Sequence, residues 1–333
     1  MRGRVTPFSL LALALALVGR AEGLSWSSQG INAEHAEGEN EAPQERGLAA
    51  VDKRSAKRRA KSSQKWYFLH VPKTAGTSFT NDAASILNLG GEDIIMREGC
   101  YGWSFAGVTD AMTLLRRPRD HVLSQYMHCR TVPLRPDKLK DLMPPTFEAW
   151  LRNWTKLREL GQASGDFTPR LRRWDKDLVP AADTRLPFKC YPPIDPQTHR
   201  LTCQRPYKFP EQMNASRAIQ NLKEMSMVGI VEAYPTSLCL LMAKVLRYMP
   251  ATCDCSRQNA TLANLTSHQK HGVAPHSVGS YSEEVLRLVD ELTREDTKLY
   301  KAGVERFLQD VRAAEAQHGM KILCDDTLTA LRI

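Results

Sequence analysis

A lysine and several hydroxyl groups follow directly on an apolar segment near position 70. The stretch WYFLHVPKTAGTSF, Trp66 to Phe79, ends its apolar run at a proline and continues with Lys73, Thr74, Ala75, Gly76, Thr77 and Ser78. Backbone N–H groups and the helix dipole at the start of a helix bind phosphate or sulfate, and a lysine with neighbouring hydroxyls adds to such a site. ATPases and GTPases close the corresponding loop with Gly-Lys-Ser/Thr, whereas the lysine comes first here. The stretch therefore predicts an anion site of another class.

A second cationic segment reads AMTLLRRPRDHVLSQY, Ala111 to Tyr126. Arg116 follows an apolar run, and Ser124 lies eight residues later in a pattern that fits a helix beginning after Pro118. Ser124 is then about two turns into the helix, so both side chains can face the carboxyl edge of a sheet, where open α/β folds bind ligands. Taken alone, the segment also fits an ion pair at a helix start for Arg116 and a surface position for Ser124.

Strand and helix patterns alternate around both segments. Trp66 to Val71 predicts a short buried strand, and Ser78 to Leu89 predicts a helix that ends at Gly90 and Gly91. Met112 to Leu115 predicts another buried strand ahead of the second helix. Because strands that alternate with helices form parallel sheets, we expect an α/β domain with a central parallel sheet.

Together the two segments resemble the signatures of sulfotransferases that use 3'-phosphoadenosine 5'-phosphosulfate (PAPS). FLHVPKTAGTSF and LLRRPRDHVLSQY are similar, more narrowly, to the carbohydrate enzymes related to the heparan sulfate 2-O and 6-O sulfotransferases. Two later segments are also similar to that group: a strand and helix from Met227 to Leu246, and a helix from Leu292 to Phe307 with an Asp-x-x-Leu-Tyr pattern. The resemblance spans Trp66 to about Phe307, and its first two motifs are the specific ones.

The resemblance implies a P-loop-like three-layer α/β fold with PAPS as co-substrate and without a metal. It implies that Lys73 is catalytic and that the loop binds the 5'-phosphosulfate through Lys73, Thr74, Ala75, Gly76, Thr77 and Ser78. A cation beside the bridging oxygen of the leaving nucleotide would stabilise the charge that develops there. Arg116 and Ser124 would bind the 3'-phosphate, where an arginine offers a bidentate contact that a lysine cannot.

This chain differs from the related families in the residue that would take the proton of the acceptor hydroxyl. Those families use a histidine between the two nucleotide motifs, and this chain has none from Asn81 to Asp120. Glu98, 25 residues after Lys73, lies where related enzymes place a catalytic glutamate or histidine, and we take it as the expected base. A surface carboxylate paired with Arg97 is the alternative for Glu98, and His70 and His121 are the other candidate bases.

The N-terminal 65 residues precede the predicted domain. Residues 1–23 carry two arginines, an apolar run of eleven residues and a small-residue site, the layout of a secretory signal peptide or a short signal anchor that would tether the chain to a membrane. Residues 24–65 have the composition of a flexible stem, with eight Lys and Arg against one Asp from position 46 onward. The basic part is a solvated tether or, alternatively, attracts anionic glycans or a membrane surface. The sulfotransferase domain then comprises residues 66–333.

Entry into the secretory pathway predicts disulfides and glycan acceptors. All eight cysteines lie beyond position 99, and an even count suggests disulfides, with Cys190 and Cys203 as a candidate pair. Cys253 and Cys255 are too close to pair with each other; a zinc site that joins them to His268, His271 and His276 fits no standard spacing. Four acceptor triplets begin at Asn153, Asn214, Asn259 and Asn264. We expect the protein in the Golgi lumen, as a type II membrane protein or a secreted one.

Residues 130–210 form a basic, proline-rich insertion. It holds 16 Lys and Arg against 9 Asp and Glu, together with Trp150, Trp154 and Trp174. Such a lip over the active site would attract an acidic glycan and stack on its sugars. The alternative is a solvated basic surface whose tryptophans belong to the core. Nucleic acid is an unsuitable partner for a protein of the secretory pathway. The polar loop from Ser267 to Glu284 would, by the resemblance, close over the nucleotide with Lys270 or His271; otherwise it is a plain exposed loop.

The expected function is the transfer of a sulfuryl group from PAPS to a hydroxyl of an acidic glycan, such as a glycosaminoglycan. The competing class is a degenerate relative that binds the nucleotide or a glycan but lacks a base. A kinase of the secretory pathway is disfavoured, because the chain has neither Gly-Lys-Ser/Thr nor an evident acidic motif for Mg²⁺.

Overall fold

Four parallel strands form the centre of the protein in its computed structural model, which describes residues 65–87, 93–101, 110–131, 144–164, 191–202, 213–256 and 276–331. The strands are β1 (Trp66–Leu69), β2 (Ile94–Arg97), β3 (Ala111–Leu115) and β4 (Met227–Ile230). They pair in the order β2-β1-β3-β4, and every pairing is parallel. The expected central parallel sheet is therefore confirmed.

Helices flank the sheet, in keeping with a three-layer α/β fold. The longer helices in the described residues are α1 (Gly76–Leu87), α2 (Pro118–Thr131), α3 (Phe147–Ser164), α4 (Pro196–Thr202), α5 (Ala215–Glu224), α6 (Tyr234–Leu246), α7 (Glu283–Leu292), α8 (Arg294–His318) and α9 (Asp325–Ala330). Short 3-10 turns occupy Val231–Ala233, Ala251–Cys253 and Val278–Ser280. The predicted helices after β1 and β3 are confirmed, and α1 begins two residues earlier than expected, at Gly76.

The strands β1, β3 and β4 are largely buried because helices cover the sheet. All five residues of β3 are buried, as expected for a strand in the middle of a parallel sheet. A second apolar cluster joins α2, α3 and α7 through residues such as Tyr126, Trp150 and Val289. Part of the predicted basic insertion is thus integrated into the domain, since α3 and α4 both come from residues 130–210.

Two disulfides staple the region after β4. Cys239 in α6 bonds to Cys253, and Cys255 bonds to Cys324. Cys253 and Cys255 do not pair with each other, as predicted, and their sulfurs are not available as zinc ligands. Cys100 and Cys129 are also disulfide-bonded. Disulfides indicate an oxidising secretory or extracellular environment.

Several predictions concern residues outside the described ranges. These are the signal segment and stem, the Cys190–Cys203 pair, Trp174, Lys270, His268 and His271, and the acceptor sites Asn259 and Asn264. Of the other two acceptor sites, Asn153 is exposed on α3 and Asn214 is exposed at the start of α5. No helix within the described ranges is long and apolar enough to cross a membrane.

Candidate functional site

The carboxyl ends of three neighbouring strands bring the candidate residues to one edge of the sheet. His70 follows β1, Glu98 follows β2 and Arg116 follows β3. The chain runs from β1 to β2 on one side of it, and then from β2 across to β3 on the other side of β1, so the direction of the connections reverses between β1 and β3. In open α/β sheets this switch point is the crevice where ligands bind.

The loop between β1 and α1 has an unusual backbone. Lys73 and Ala75 adopt positive φ angles of 71° and 58°. Each costs about 1–2 kcal/mol for a residue with a side chain, and such conformations are concentrated at functional sites. Thr74 closes the turn, since its Oγ1 donates to the Val71 carbonyl at 2.8 Å and its backbone N–H donates to the same oxygen at 3.2 Å. The Thr74 hydroxyl therefore supports the loop, where the sequence had suggested a donor to the ligand.

Gly76 begins α1 against the ring of His70. A Cβ at Gly76 would lie 2.0 Å from His70 Nδ1 and 2.7 Å from the Phe68 ring, so no other residue fits without rearrangement. His70 is buried, and its Nδ1 has no hydrogen-bond partner among the described residues. Thr77 is half-buried and Ser78 is buried in the first turn of the helix. The first turn of α1 is thus held close to the end of β1.

His70 orients Glu98. Burial first, then the charges of Arg200 and Lys73, lower the pKa of His70 to about 4, so its ring is neutral at pH 7. Its Nε2 lies 3.3 Å from Glu98 Oε1, and a neutral imidazole donates its proton to a carboxylate. Glu98 is therefore held beside the loop and is half-buried, and its role as the base stays a prediction.

Lys73 lies near two other charged side chains of the site, Arg116 and Glu98. Burial first, then Arg116, lower its pKa to about 8, whereas Glu98 acts in the opposite direction. Its Nζ lies 3.2 Å from Nδ1 of His128 in α2. The Arg116 guanidinium donates to the Lys73 carbonyl at 3.1 Å. The two motifs predicted from sequence are thus in direct contact.

Arg116 follows β3 directly, and Ser124 lies within α2. Burial lowers the pKa of Arg116, although Glu232 and Asp120 oppose the shift and a guanidinium remains charged at pH 7. Ser124 is buried in α2, two turns beyond Arg116, so the alternative of a surface serine is wrong. Positive charge from Lys73, Arg116 and Arg200 in one place is an arrangement suited to an anion.

His121 lies inside the protein, away from any surface that a substrate could reach. It is fully buried beneath the loop, its Nε2 lies 2.7 Å from the Pro72 carbonyl oxygen, and burial lowers its pKa to about 3. His70 is also buried. Both histidines support the loop from inside the protein.

Four residues of this region were missed from sequence. His128 stacks on Tyr191, with ring centroids 5.9 Å apart, and burial followed by the charge of Glu98 raises the pKa of Tyr191 to about 12. Gln197 and Arg200 come from α4, and both are buried. His128 had one usable signal, because it follows Ser124 by one helical turn and therefore shares its face of α2. The other three lie far from both motifs in the chain.

Trp150 and Trp154 belong to the core. They are 0% and 2% exposed and contact each other edge to face. The sugar-stacking hypothesis is therefore wrong for these two, and the alternative of tryptophans used as core holds. The reason is amphipathic helix packing: α3 turns both rings inward against α2 and α7.

No protein-family model, curated protein or solved structure matches this chain. The described residues contain no cluster of His, Cys, Asp and Glu that could hold a metal ion. The geometry of the site therefore carries the functional argument.

Proposed function

We propose that this protein transfers a sulfuryl group from PAPS to a hydroxyl of an acidic glycan. The observation that carries the proposal is the contact between its two motifs at the switch point of a parallel sheet. Arg116 donates to the Lys73 carbonyl, so a cation suited to a 3'-phosphate lies beside the loop suited to a 5'-phosphosulfate. One nucleotide with phosphate groups at both positions fits such a site.

Lys73 would act on the leaving group. In a direct displacement the acceptor oxygen forms a bond to sulfur while the bond from sulfur to the bridging oxygen of PAPS breaks. Adenosine 3',5'-bisphosphate leaves with the additional negative charge, which an ammonium group at the bridging oxygen stabilises. The half-buried position of Lys73 strengthens this interaction, because the surrounding dielectric is lower than that of water.

Glu98 would take the proton of the acceptor hydroxyl. The contact between His70 Nε2 and Glu98 Oε1 would hold the carboxylate in a fixed orientation, which a general base requires. The products are then a sulfated glycan, adenosine 3',5'-bisphosphate and a proton on Glu98 that passes to solvent.

The disulfides support an oxidising secretory or extracellular environment, and we propose the Golgi lumen as the location of the protein. The balance of charge in residues 130–210 favours an anionic polymer as acceptor. The competing function is a nucleotide-binding relative without turnover.

A transfer assay tests the proposal. Full-length secreted protein is incubated with PAPS that carries labelled sulfate and with a panel of glycosaminoglycans and neutral glycans. We expect label on an acidic glycan and its loss in Lys73→Ala. Binding of adenosine 3',5'-bisphosphate without any incorporation would favour the binding relative, and the absence of both would reject a nucleotide site.

A further inference from the structure

Gln197 makes a two-point contact with the backbone of Arg116. Its Oε1 accepts from the Arg116 backbone N–H at 2.9 Å, and its Nε2 donates to the Arg116 carbonyl at 2.8 Å. Gln197 is 1% exposed, so neither bond is replaced by water without opening the structure. The Gln197 amide thus provides hydrogen-bond partners for both the N–H and the carbonyl of Arg116, the residue that follows β3.

These bonds fix the direction of the Arg116 side chain. Arg116 is the first residue beyond β3, where the sheet no longer holds its N–H and carbonyl. With both groups bound by Gln197, the Cα–Cβ bond keeps one orientation, and the guanidinium reaches the Lys73 carbonyl. Without the Gln197 amide, the backbone of Arg116 would no longer be fixed, although the charge of Arg116 and its other neighbours would be unchanged.

The short helix α4 that carries Gln197 is itself anchored at its first turn. The carboxylate of Asp296 accepts from the backbone N–H groups of Gln197 and Thr198 at 3.1 and 2.7 Å. Asp195, which precedes α4, accepts in return from the backbone N–H groups of Glu295 and Asp296 at the start of α8. The two helix starts cap each other, and α8 packs on β4. Gln197 is therefore held by the core of the domain.

We propose that Gln197 is a positioning residue for Arg116 and sets the preference of the site for a nucleotide with a 3'-phosphate. The proposal rests on the proposed function, because it assigns the 3'-phosphate to Arg116. It adds α4 to the nucleotide site as a third part, 81 residues away from Arg116 in the sequence. The residue acts on the ligand through Arg116 alone.

Calorimetric titration of the full chain with adenosine 3',5'-bisphosphate and with adenosine 5'-monophosphate tests this role. The two ligands differ only in the 3'-phosphate. We expect Gln197→Met, which keeps the length and volume of the side chain, to weaken bisphosphate binding at least about tenfold, since a charged contact loses its geometry. Binding of the monophosphate should stay within about twofold of wild type.

Thr202→Val in the same helix is the matched control. Thr202 is buried and its hydroxyl bonds to the Thr198 carbonyl within α4, so this variant perturbs the helix without touching Arg116. It should leave the ratio of the two affinities unchanged. Gln197→Ala provides the same comparison if Gln197→Met does not fold.

Equal losses for both ligands, or no loss for either, would overturn the role of Gln197. A wild-type protein that binds neither ligand, or that does not prefer the bisphosphate, would instead reject the proposed nucleotide site. The two failures are therefore distinguishable in one set of titrations.

Discussion

The two candidate segments of the site, the loop after β1 and the segment with Arg116, are built in different ways. The loop after β1 is closed by contacts between near neighbours in the chain, such as Thr74 with Val71 and Gly76 with His70. Arg116 depends on residues 43 and 81 positions away, Lys73 and Gln197. A local segment carries its own conformation in its sequence, whereas a distant support depends on the completed fold. Substitutions in the two segments should accordingly fail in different ways.

The largest effect is expected at the local segment. Lys73→Ala should lower turnover about 100- to 1,000-fold, because it removes a preorganised positive charge from the leaving oxygen. A sulfate-transfer assay at saturating glycan measures it. Lys223→Ala, an exposed lysine of α5, is the control and should retain wild-type turnover. A loss of only a few-fold in Lys73→Ala would contradict the catalytic role of the loop.

A substitution of Glu98 tests whether the residue that follows β2 belongs to the site together with the residues that follow β1 and β3. Glu98→Gln should lower turnover about 100-fold or more while nucleotide binding persists, because the amide keeps the shape but cannot accept a proton. Glu224→Gln, an exposed carboxylate at the end of α5, serves for comparison. Nearly intact turnover would remove Glu98 as the base and point to His128, whose Nδ1 lies 3.2 Å from Lys73 Nζ.

Gly76 tests how closely the loop is packed on its own strand. Gly76→Ala should lower the free energy of unfolding by about 1–3 kcal/mol, because the added methyl group meets the buried His70 and Phe68 rings. Urea unfolding gives the value. At Gly279 a Cβ would meet its nearest atom at 3.5 Å, so Gly279→Ala should change stability far less. Equal changes in the free energy of unfolding for the two substitutions would show that the space beside Gly76 can accommodate a methyl group.

The smallest expected effect is a dependence of nucleotide affinity on pH. Because burial and Arg116 lower the pKa of Lys73 to about 8, the free protein loses this charge as the pH rises through 8. A bound anion favours the ammonium form, so affinity should be nearly constant from about pH 7, where the nucleotide phosphates are ionised, to about pH 8, and should fall above that pH by about tenfold per pH unit at most. Lys73→Arg should remove the fall, since a guanidinium stays protonated. An identical slope in Lys73→Arg would assign the titration to another group.

The same contrast explains what the sequence could predict. The strand, the loop with Lys73 and the helix after it follow one another in the chain, and their apolar pattern and punctuation indicate them directly. Arg116 was predicted for the same reason. The strand β2 was not predicted, because it has only four residues and two of them are exposed, so its sequence shows no clear apolar pattern.

The supports of the site could not be predicted in this way. Nothing in the local sequence of Gln197 indicates that its amide will meet Arg116, since the contact exists only once α4 is capped by Asp296. Trp150 and Trp154 are the opposite case, because a role in binding was predicted for them and they belong to the core. Their composition suggested a surface for sugars, and only the packing of α3 on α2 and α7 reveals them as core.

A crystal structure of the full-length protein with adenosine 3',5'-bisphosphate tests the central claim most directly. We expect the 5'-phosphate at Lys73 and the first N–H groups of α1, and the 3'-phosphate at Arg116 and Ser124. A nucleotide whose phosphates lie away from both segments, or whose 3'-phosphate does not contact Arg116, would contradict it.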